Sequence, residues 1–202
     1  MEENTVEKEI LASAAELFLT KGFKSVTMDD LASEMGMSKK TIYTYFKTKT
    51  ELVNASTEYM FCRIHSGINE IRSKKLNPII ELFTINKFVF KHLKNESSSP
   101  EFQLLKYYPK IHAALSQKKF ITIHECIVSG IERGKELGLF RTEIDPEMIS
   151  RFYFFSITEI KNKDLFPEKD FETYEIQQAY LDYHIRGIST VKGIEILEKQ
   201  AS

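Results

Sequence analysis

Lys39, Lys40, Lys47 and Lys49 stand between Gly36 and Thr50 with no acidic residue among them, although the chain as a whole has 28 Lys+Arg against 29 Asp+Glu and a formal net charge of −1. Lys39 and Lys40 fall in the first turn of a predicted helix, and Lys49 in the first turn of the next. The helix dipole disfavours cations there by about 0.3–1 kcal/mol each. Folding alone prefers Asp or Glu at such positions, whereas a helix N-terminus supplemented by lysine is an anion site that suits a phosphate backbone. A lysine cluster by itself is an ordinary solvated face, but Tyr43 and Tyr45 interleave with this one. On a helix beginning at Ser38, Ile42 and Phe46 face inward, which leaves Lys39, Lys40, Thr41, Tyr43 and Thr44 outward. Tyrosine hydroxyls donate to phosphates and their rings contact thymine methyls, while Lys and Thr reach base edges. The pattern points to duplex DNA.

The surrounding residues supply the elements such a face needs. Ile10, Ala14, Leu17 and Phe18 form one apolar stripe of a first helix ending at Gly22. Thr27 is the expected N-cap of a second helix, with Asp29 and Asp30 favourable to its dipole and Val26 placed to staple against Leu31. That helix is predicted to stop near Gly36. Ser38 caps a short third helix reaching Tyr45 or Phe46, with Met37 and Ile42 as a second staple. Thr48-Lys49-Thr50-Glu51 matches a capping box that opens a long fourth helix, 48–74. A helix, a glycine turn and a second short helix are the parts of a helix-turn-helix.

The stretch ILASAAELFLTKGFKSVTMDDLASEMGMSKKTIYTYFKTKTEL resembles the N-terminal DNA-binding domain of the TetR/AcrR family of bacterial transcriptional regulators. The likeness runs from about Val6 to Leu52. It includes A-x-x-L-F-x-x-K-G-F, the Thr27 cap, Leu31-Ala32, Gly36, Ser38-Lys39, and the run from Tyr43, Tyr45-Phe46-Lys47 and Lys49 to Glu51-Leu52. Carried over by position, it implies that Thr27, Ser38, Lys39, Tyr43, Tyr45 and Lys49 touch phosphates, and that Lys40 and Thr41 read bases. Lys40 stands where the family often has glycine or another small residue, and Tyr45 where histidine is common. The resemblance further implies a DNA-binding domain over 1–52 and a helical effector-binding and dimerisation domain over 53–202. The expected protein is then a repressor that binds a palindromic operator as a homodimer and is released by a small apolar or aromatic effector. A two-fold dimer also answers a physical need, because one short recognition helix reads too few base pairs.

Beyond residue 74 the punctuation predicts further helices. Asn77-Pro78, Ser99-Pro100 and Asp145-Pro146 each place a capping residue before a first-turn proline. A short Ser97-Ser98-Ser99 turn is also expected. Tyr108-Pro109 breaks the run, a helix from Lys110 to Leu137 follows, 164–170 is a loop, and helical spacing resumes at Phe171. Gly187 and Gly193 leave the continuation of that last element open. With no strand signal, the fold is expected to be all-α, with about nine helices.

Three stripes are expected on these helices: Ile79, Leu82, Phe83, Asn86 and Phe90; then Phe120, Ile123, His124, Ile127 and Ile131; then Phe152, Tyr153, Ser156, Ile157 and Ile160. Most such residues are ordinary core. Phe83, Asn86, Phe90, His112, Phe120, His124 and Tyr153 are the ligand-pocket candidates, because polar groups within apolar stripes can orient a bound molecule. Family resemblance places the dimer interface on the last two long helices, with Ile176, Tyr180 and Tyr183 as candidates.

Other chemistry finds no carrier in the sequence. The five histidines are scattered without metal-ligand spacing, His124-Glu125-Cys126 diverges on a helix, and no P-loop, G-x-G-x-x-G or G-x-S-x-G occurs. No enzyme activity, metal or cofactor is expected. Hydrophobic residues at 42% and charged residues at 28% suit a folded core. Most of the aromatic content, 15 Phe and 9 Tyr, lies after residue 80. Cys62 and Cys126 make no disulfide framework, the acidic start Met1-Glu2-Glu3-Asn4 is unlike a secretory signal, and apolar clusters such as Phe152–Phe155 fall far short of the ~20 residues of a membrane span. A cytoplasmic protein with no membrane partner is expected. The competing reading is an all-helical binding or scaffold protein whose N-terminal segment meets protein rather than DNA.

Overall fold

Caps and apolar spacing set the helices in this computed structural model, which describes residues 2–93, 100–162, 164–167 and 169–201 and contains ten helices among them. α1 (Glu2–Lys21) buries the expected stripe of Ile10, Ala14, Leu17 and Phe18. α2 (Met28–Glu34) starts on a complete capping box: Thr27 Oγ1 accepts the Asp30 N–H at 3.1 Å, and Asp30 Oδ2 accepts the Thr27 N–H at 2.7 Å. The backbone and side chain of Thr27 thereby hold the Asp30 carboxyl below its ordinary range. Gly36 (φ +62°) closes the turn after α2 in a left-handed conformation, where Met37 N–H reaches Ala32 O at 2.9 Å.

α3 (Lys39–Tyr45) is capped by Ser38, whose Oγ accepts the Thr41 N–H at 3.0 Å. α4 (Lys49–Ser73) begins with Thr48 Oγ1 accepting the Glu51 N–H at 3.1 Å. The expected box closes one residue upstream of its usual place, because Glu51 Oε2 accepts the Lys47 N–H at 2.8 Å.

The later elements are α5 (Pro78–Leu93), α6 (Pro100–Tyr107), α7 (Pro109–Glu136), α8 (Pro146–Glu159), α9 (Thr173–Ile188) and α10 (Val191–Ala201). Asn77 Oδ1 accepts the Ile79 N–H at 3.0 Å and Asp145 Oδ1 the Glu147 N–H at 2.9 Å, so both predicted caps form. The predicted Ser99 cap and the Ser97–Ser99 turn lie outside the described residues. α9 starts at Thr173 rather than Phe171, because the Phe171 N–H closes a turn onto Pro167 O at 3.0 Å and its ring packs edge-on against Phe166. The question left open by the glycines resolves into two helices. Gly187 continues α9, while Gly193 lies in the first turn of α10, where any Cβ would collide with the Leu139 carbonyl. Among the described residues β pairing is confined to an isolated antiparallel bridge between Phe140 and Ser189.

Two compact units form, one from Met1–Ser66 with His92–Lys118 and the other from Gly67–Lys91 with Lys119–Ser202. In the first, Ile10, Phe18, Leu31, Ile42, Leu52 and Val53 are each at most 1% exposed, and Leu104 from α6 joins the same cluster. Burial of such side chains contributes about 1.5–3 kcal/mol each. This is what holds α3, since seven residues are too few for a helix stable on its own. Phe23 stacks on Phe18 at 5.0 Å and meets Tyr108 edge-on at 6.5 Å, while Gln103 Oε1 accepts the Lys24 N–H at 2.7 Å. The helix-turn-helix segment is thus braced by residues some eighty positions away in sequence. In the second unit, Ile79, Leu139, Leu181, Ile185 and Leu197 are the most buried members of a core that also takes in Ile127, Ile131 and Tyr153. Phe152 departs from the stripe predicted for it: Tyr153, Ile157 and Ile160 turn inward, but Phe152 is 58% exposed. Adjacent positions on a helix diverge by about 100°, so Phe152 and Tyr153 cannot share one buried face.

Candidate nucleic-acid interface

α3 is seated by Ile42, with no exposure, and by Phe46, which follows it at 3%; its other face carries Lys39, Lys40, Tyr43 and Thr44 in solvent. Each lysine of the cluster has its own surroundings. Lys39 Nζ pairs with Asp29 Oδ2 at 2.8 Å, and that bond raises the pKa of the ammonium. The cation that seemed costly at the helix start is therefore supported by an α2 carboxylate. Lys47 Nζ donates to the Tyr43 and Thr44 carbonyls at 3.3 and 3.2 Å, which closes the C-terminal end of α3. Lys49 Nζ donates to the Lys24 carbonyl at 3.0 Å, and partial burial lowers its pKa. Lys40 is exposed and makes no ion pair among the described residues.

The uncharged candidates divide similarly. The Thr27 hydroxyl is engaged in the α2 box, bonded to Asp30 Oδ2 at 2.8 Å. Ser38 and Thr41 share a hydroxyl–hydroxyl bond of 2.8 Å. Thr44 returns its hydroxyl to the Lys40 carbonyl at 3.0 Å. Tyr43 is exposed, whereas Tyr45 is half-buried and packs on the core of its unit. All eight candidates, Thr27, Ser38, Lys39, Lys40, Thr41, Tyr43, Tyr45 and Lys49, belong to the first unit. Asp29, which restrains Lys39, was missed by reading the lysines alone. Its signal is an acid just inside α2, ten positions before its partner.

The seven pocket candidates do not converge. His112 belongs to the first unit, with Nε2 3.9 Å from Glu101, while the other six belong to the second. His124 has both nitrogens occupied, Nδ1 on Ser150 Oγ at 2.8 Å and Nε2 on Glu147 Oε1 at 3.2 Å, so it ties α7 to α8. Phe120 stacks on that ring and meets Phe154 edge-on. Phe83 packs on the core, and Phe90 contacts Tyr174 at 4.6 Å. The Tyr153 hydroxyl faces Asn86 in the interior, where burial raises its pKa. A cleft of about 360 Å³ in this unit is lined instead by residues including Glu81, Leu82, Ile85, Ile127 and His184. Glu81 was overlooked in the sequence, where its signal is a lone carboxylate within the apolar run from Pro78 to Phe83.

The likeness to known proteins follows the same division. The family model for bacterial regulatory proteins of the tetR family matches residues 10–56, the segment that builds α2 and α3 and their supports. The HTH-type transcriptional regulator YvaF of Bacillus subtilis is 27% identical over 186 residues, covering 91% of this chain and 96% of that protein. This chain is a TetR-family transcriptional regulator.

Other similarities of this TetR-family regulator extend over nearly its whole length. The HTH-type transcriptional repressor KstR2 of Mycobacterium tuberculosis is 22% identical over 193 residues, covering 92% of this chain and 94% of that one. The crystal structure of a TetR-family transcriptional regulator from Cytophaga hutchinsonii superposes with a TM-score of 0.71 at 17% identity, covering 94% of this chain and 98% of the other, which shows the shared fold. The regulator is a DNA-binding protein and not an enzyme. Among its described residues no helix is long and apolar enough to cross a membrane, and no group of three or more His, Cys, Asp or Glu is placed to hold a metal ion.

Proposed function

We propose that this regulator is a ligand-responsive repressor that binds a palindromic operator as a homodimer and is released by a small effector. Residues 1–52 serve DNA and 53–202 serve the effector and the dimer. The observation that carries the reading is α3: one buried side locks it in place, and Lys40, Tyr43 and Thr44 stand out from the other within an acid-free run. On this reading α3 lies in the major groove, Tyr43, Tyr45, Lys39 and Lys49 with Thr27 and Ser38 hold phosphates, and Lys40 and Thr41 meet bases. The salt bridge to Asp29 opens when Lys39 takes a phosphate.

A second copy of the chain is the partner that the apolar surface of α8 fits. Met148, Phe152 and Phe155, at i, i+4 and i+7, are 53–66% exposed, and Tyr183 on α9 is also exposed. An apolar stripe of this kind is costly to leave in water, and a two-fold pairing covers it with itself. Ile176 and Tyr180, half-buried on α9, contribute from its flank. For the switch, α4 and α7 each supply residues to both units. A coupling of about 1–3 kcal/mol between effector and operator is ordinary for such a device.

The deciding experiment is binding to duplex DNA from the protein's own upstream intergenic region against random duplex, across a range of salt. Tighter, salt-dependent binding to the upstream DNA is expected. Equal affinity for both at every salt concentration rejects the repressor reading in favour of a protein-binding role for the N-terminal segment.

A further inference from the structure

The cleft in the second unit contains two buried polar atoms with no partner among the described residues. Glu81 is 4% exposed; its Oε1 accepts from Arg133 Nη2 at 2.7 Å, but Oε2 has no hydrogen bond. His184 is 8% exposed; its Nδ1 lies 3.5 Å from the Tyr180 hydroxyl, and Nε2 is unpartnered. Both residues line the same cleft, whose other walls include Leu82, Ile85, Ile127 and Ile131. An unpaired buried polar group costs about 1–3 kcal/mol, more when it is charged, so a molecule that satisfies both groups is favoured by the lining itself.

The chemistry of the two atoms selects the molecule. An ionised carboxylate oxygen only accepts, so the ligand must donate at Glu81. Arg133 already neutralises that carboxylate, so an ammonium would bring an uncompensated charge into a buried site, and a carboxylate would face an acceptor. Burial holds His184 neutral at pH 7, leaving no cation to attract an anion. An alcohol meets both demands: its O–H donates and its oxygen accepts. The hydrocarbon walls ask for an apolar body.

We propose that this cleft binds an uncharged, hydroxyl-bearing molecule with a compact apolar body, its hydroxyl donating to Glu81 Oε2 and its polar end meeting His184 Nε2. The proposal rests on the effector-responsive reading above for its regulatory meaning, and on the cleft alone for binding.

The test uses the full chain, with isoleucine methyl NMR reporting on Ile85, Ile127, Ile131 and Ile188, all in the cleft wall. The probes are cyclopentanol, cyclopentanone, cyclopentylamine and cyclopentanecarboxylate. Cyclopentanol is expected to shift these methyls and to bind at least tenfold more tightly than the other three. Glu81→Gln and His184→Phe should each weaken cyclopentanol tenfold and leave cyclopentanone unchanged; should Glu81→Gln not fold, His184→Phe decides. Equal binding of alcohol and ketone overturns the proposal, as does the absence of methyl shifts with all four, which means that the free oxygens serve water only. Operator affinity is measured separately. An alcohol that fills the cleft without changing operator affinity refutes effector release there and leaves the binding proposal standing. Release by a molecule that leaves these four methyls unshifted does the reverse.

Discussion

The Lys39 ammonium lies 2.8 Å from the Asp29 carboxylate and ties the first turn of α3 to the first turn of α2. A DNA phosphate must compete with Asp29 for this lysine. Asp29→Asn is therefore expected to tighten duplex binding at low salt and to steepen the log–log salt dependence by about 0.9, the increment for one additional phosphate contact. Adding Lys39→Ala to that variant should cancel the steepening. Fluorescence anisotropy over a potassium chloride series reads both slopes, and an unchanged slope in Asp29→Asn places Lys39 off the phosphate.

Tyr43 and Lys40 are exposed on the same short helix, but different outcomes are expected for them. Tyr43→Ala should weaken operator binding about tenfold without lowering the thermal midpoint, because its ring is not part of the core cluster. Lys49→Ala should weaken binding similarly while the chain stays folded, at the loss of one bond to the Lys24 carbonyl. Lys40→Ala should change the preferred sequence in a selection from randomised duplexes. An unaltered sequence profile assigns Lys40 to phosphate alone.

The cap of α2 is the most explicit local device in the fold. Thr27→Ala removes the acceptor for the Asp30 N–H and is expected to cost about 1 kcal/mol in urea unfolding. It also removes part of what lowers the Asp30 pKa in the folded chain. A group held low in the native state lends stability above its unfolded pKa, and that contribution is lost as pH falls through the folded value. The difference between wild type and Thr27→Ala should accordingly shrink below about pH 4, as followed by circular dichroism.

His184 gives a pH dependence in another window. Burial lowers its pKa from 6.5 to about 4. Below pH 6.5 the unfolded chain takes up a proton that the folded chain refuses, so stability present at neutral pH is lost progressively down to about pH 4 and changes no further beneath it. The full effect of that shift is about 3 kcal/mol. Urea unfolding at pH 7.5 and pH 4.5 should show a smaller loss for His184→Phe than for wild type; equal losses remove His184 from the account.

Phe152 and Phe155 test the dimer. Phe152→Glu with Phe155→Glu places two charges on an exposed apolar stripe and should yield a monomer by sedimentation velocity, with helical content retained and operator affinity reduced at least tenfold. A dimer that survives both changes removes α8 from the interface.

The helix-turn-helix was visible in the sequence because its determinants are local. Thr27 with Asp30, Ser38 with Thr41, and Ile42 with Phe46 act within one or two helical turns, so residue type and spacing specify them directly. Helix starts at Asn77 and Asp145 were visible for the same reason. Pocket residues were not. His124 and Phe120 carry suitable chemistry, but Ser150, Glu147 and Phe154 use it up within the fold.

By itself the sequence determined an all-helical chain, the boundaries of most helices, the buried side of α3 and the lysines and tyrosines on its other side. Tertiary structure decided that Lys39 is paired with Asp29, that Gln103, Leu104 and Tyr108 brace the helix-turn-helix segment, and that Phe152 faces solvent while Tyr153 is buried. It also decided that Glu81 and His184, 103 positions apart, line one cleft with an unpartnered atom each. Local patterns fix backbone hydrogen bonds and the face a residue occupies. Which distant side chain completes or leaves open its polar valence depends on packing between helices, and no period of three or four residues encodes that.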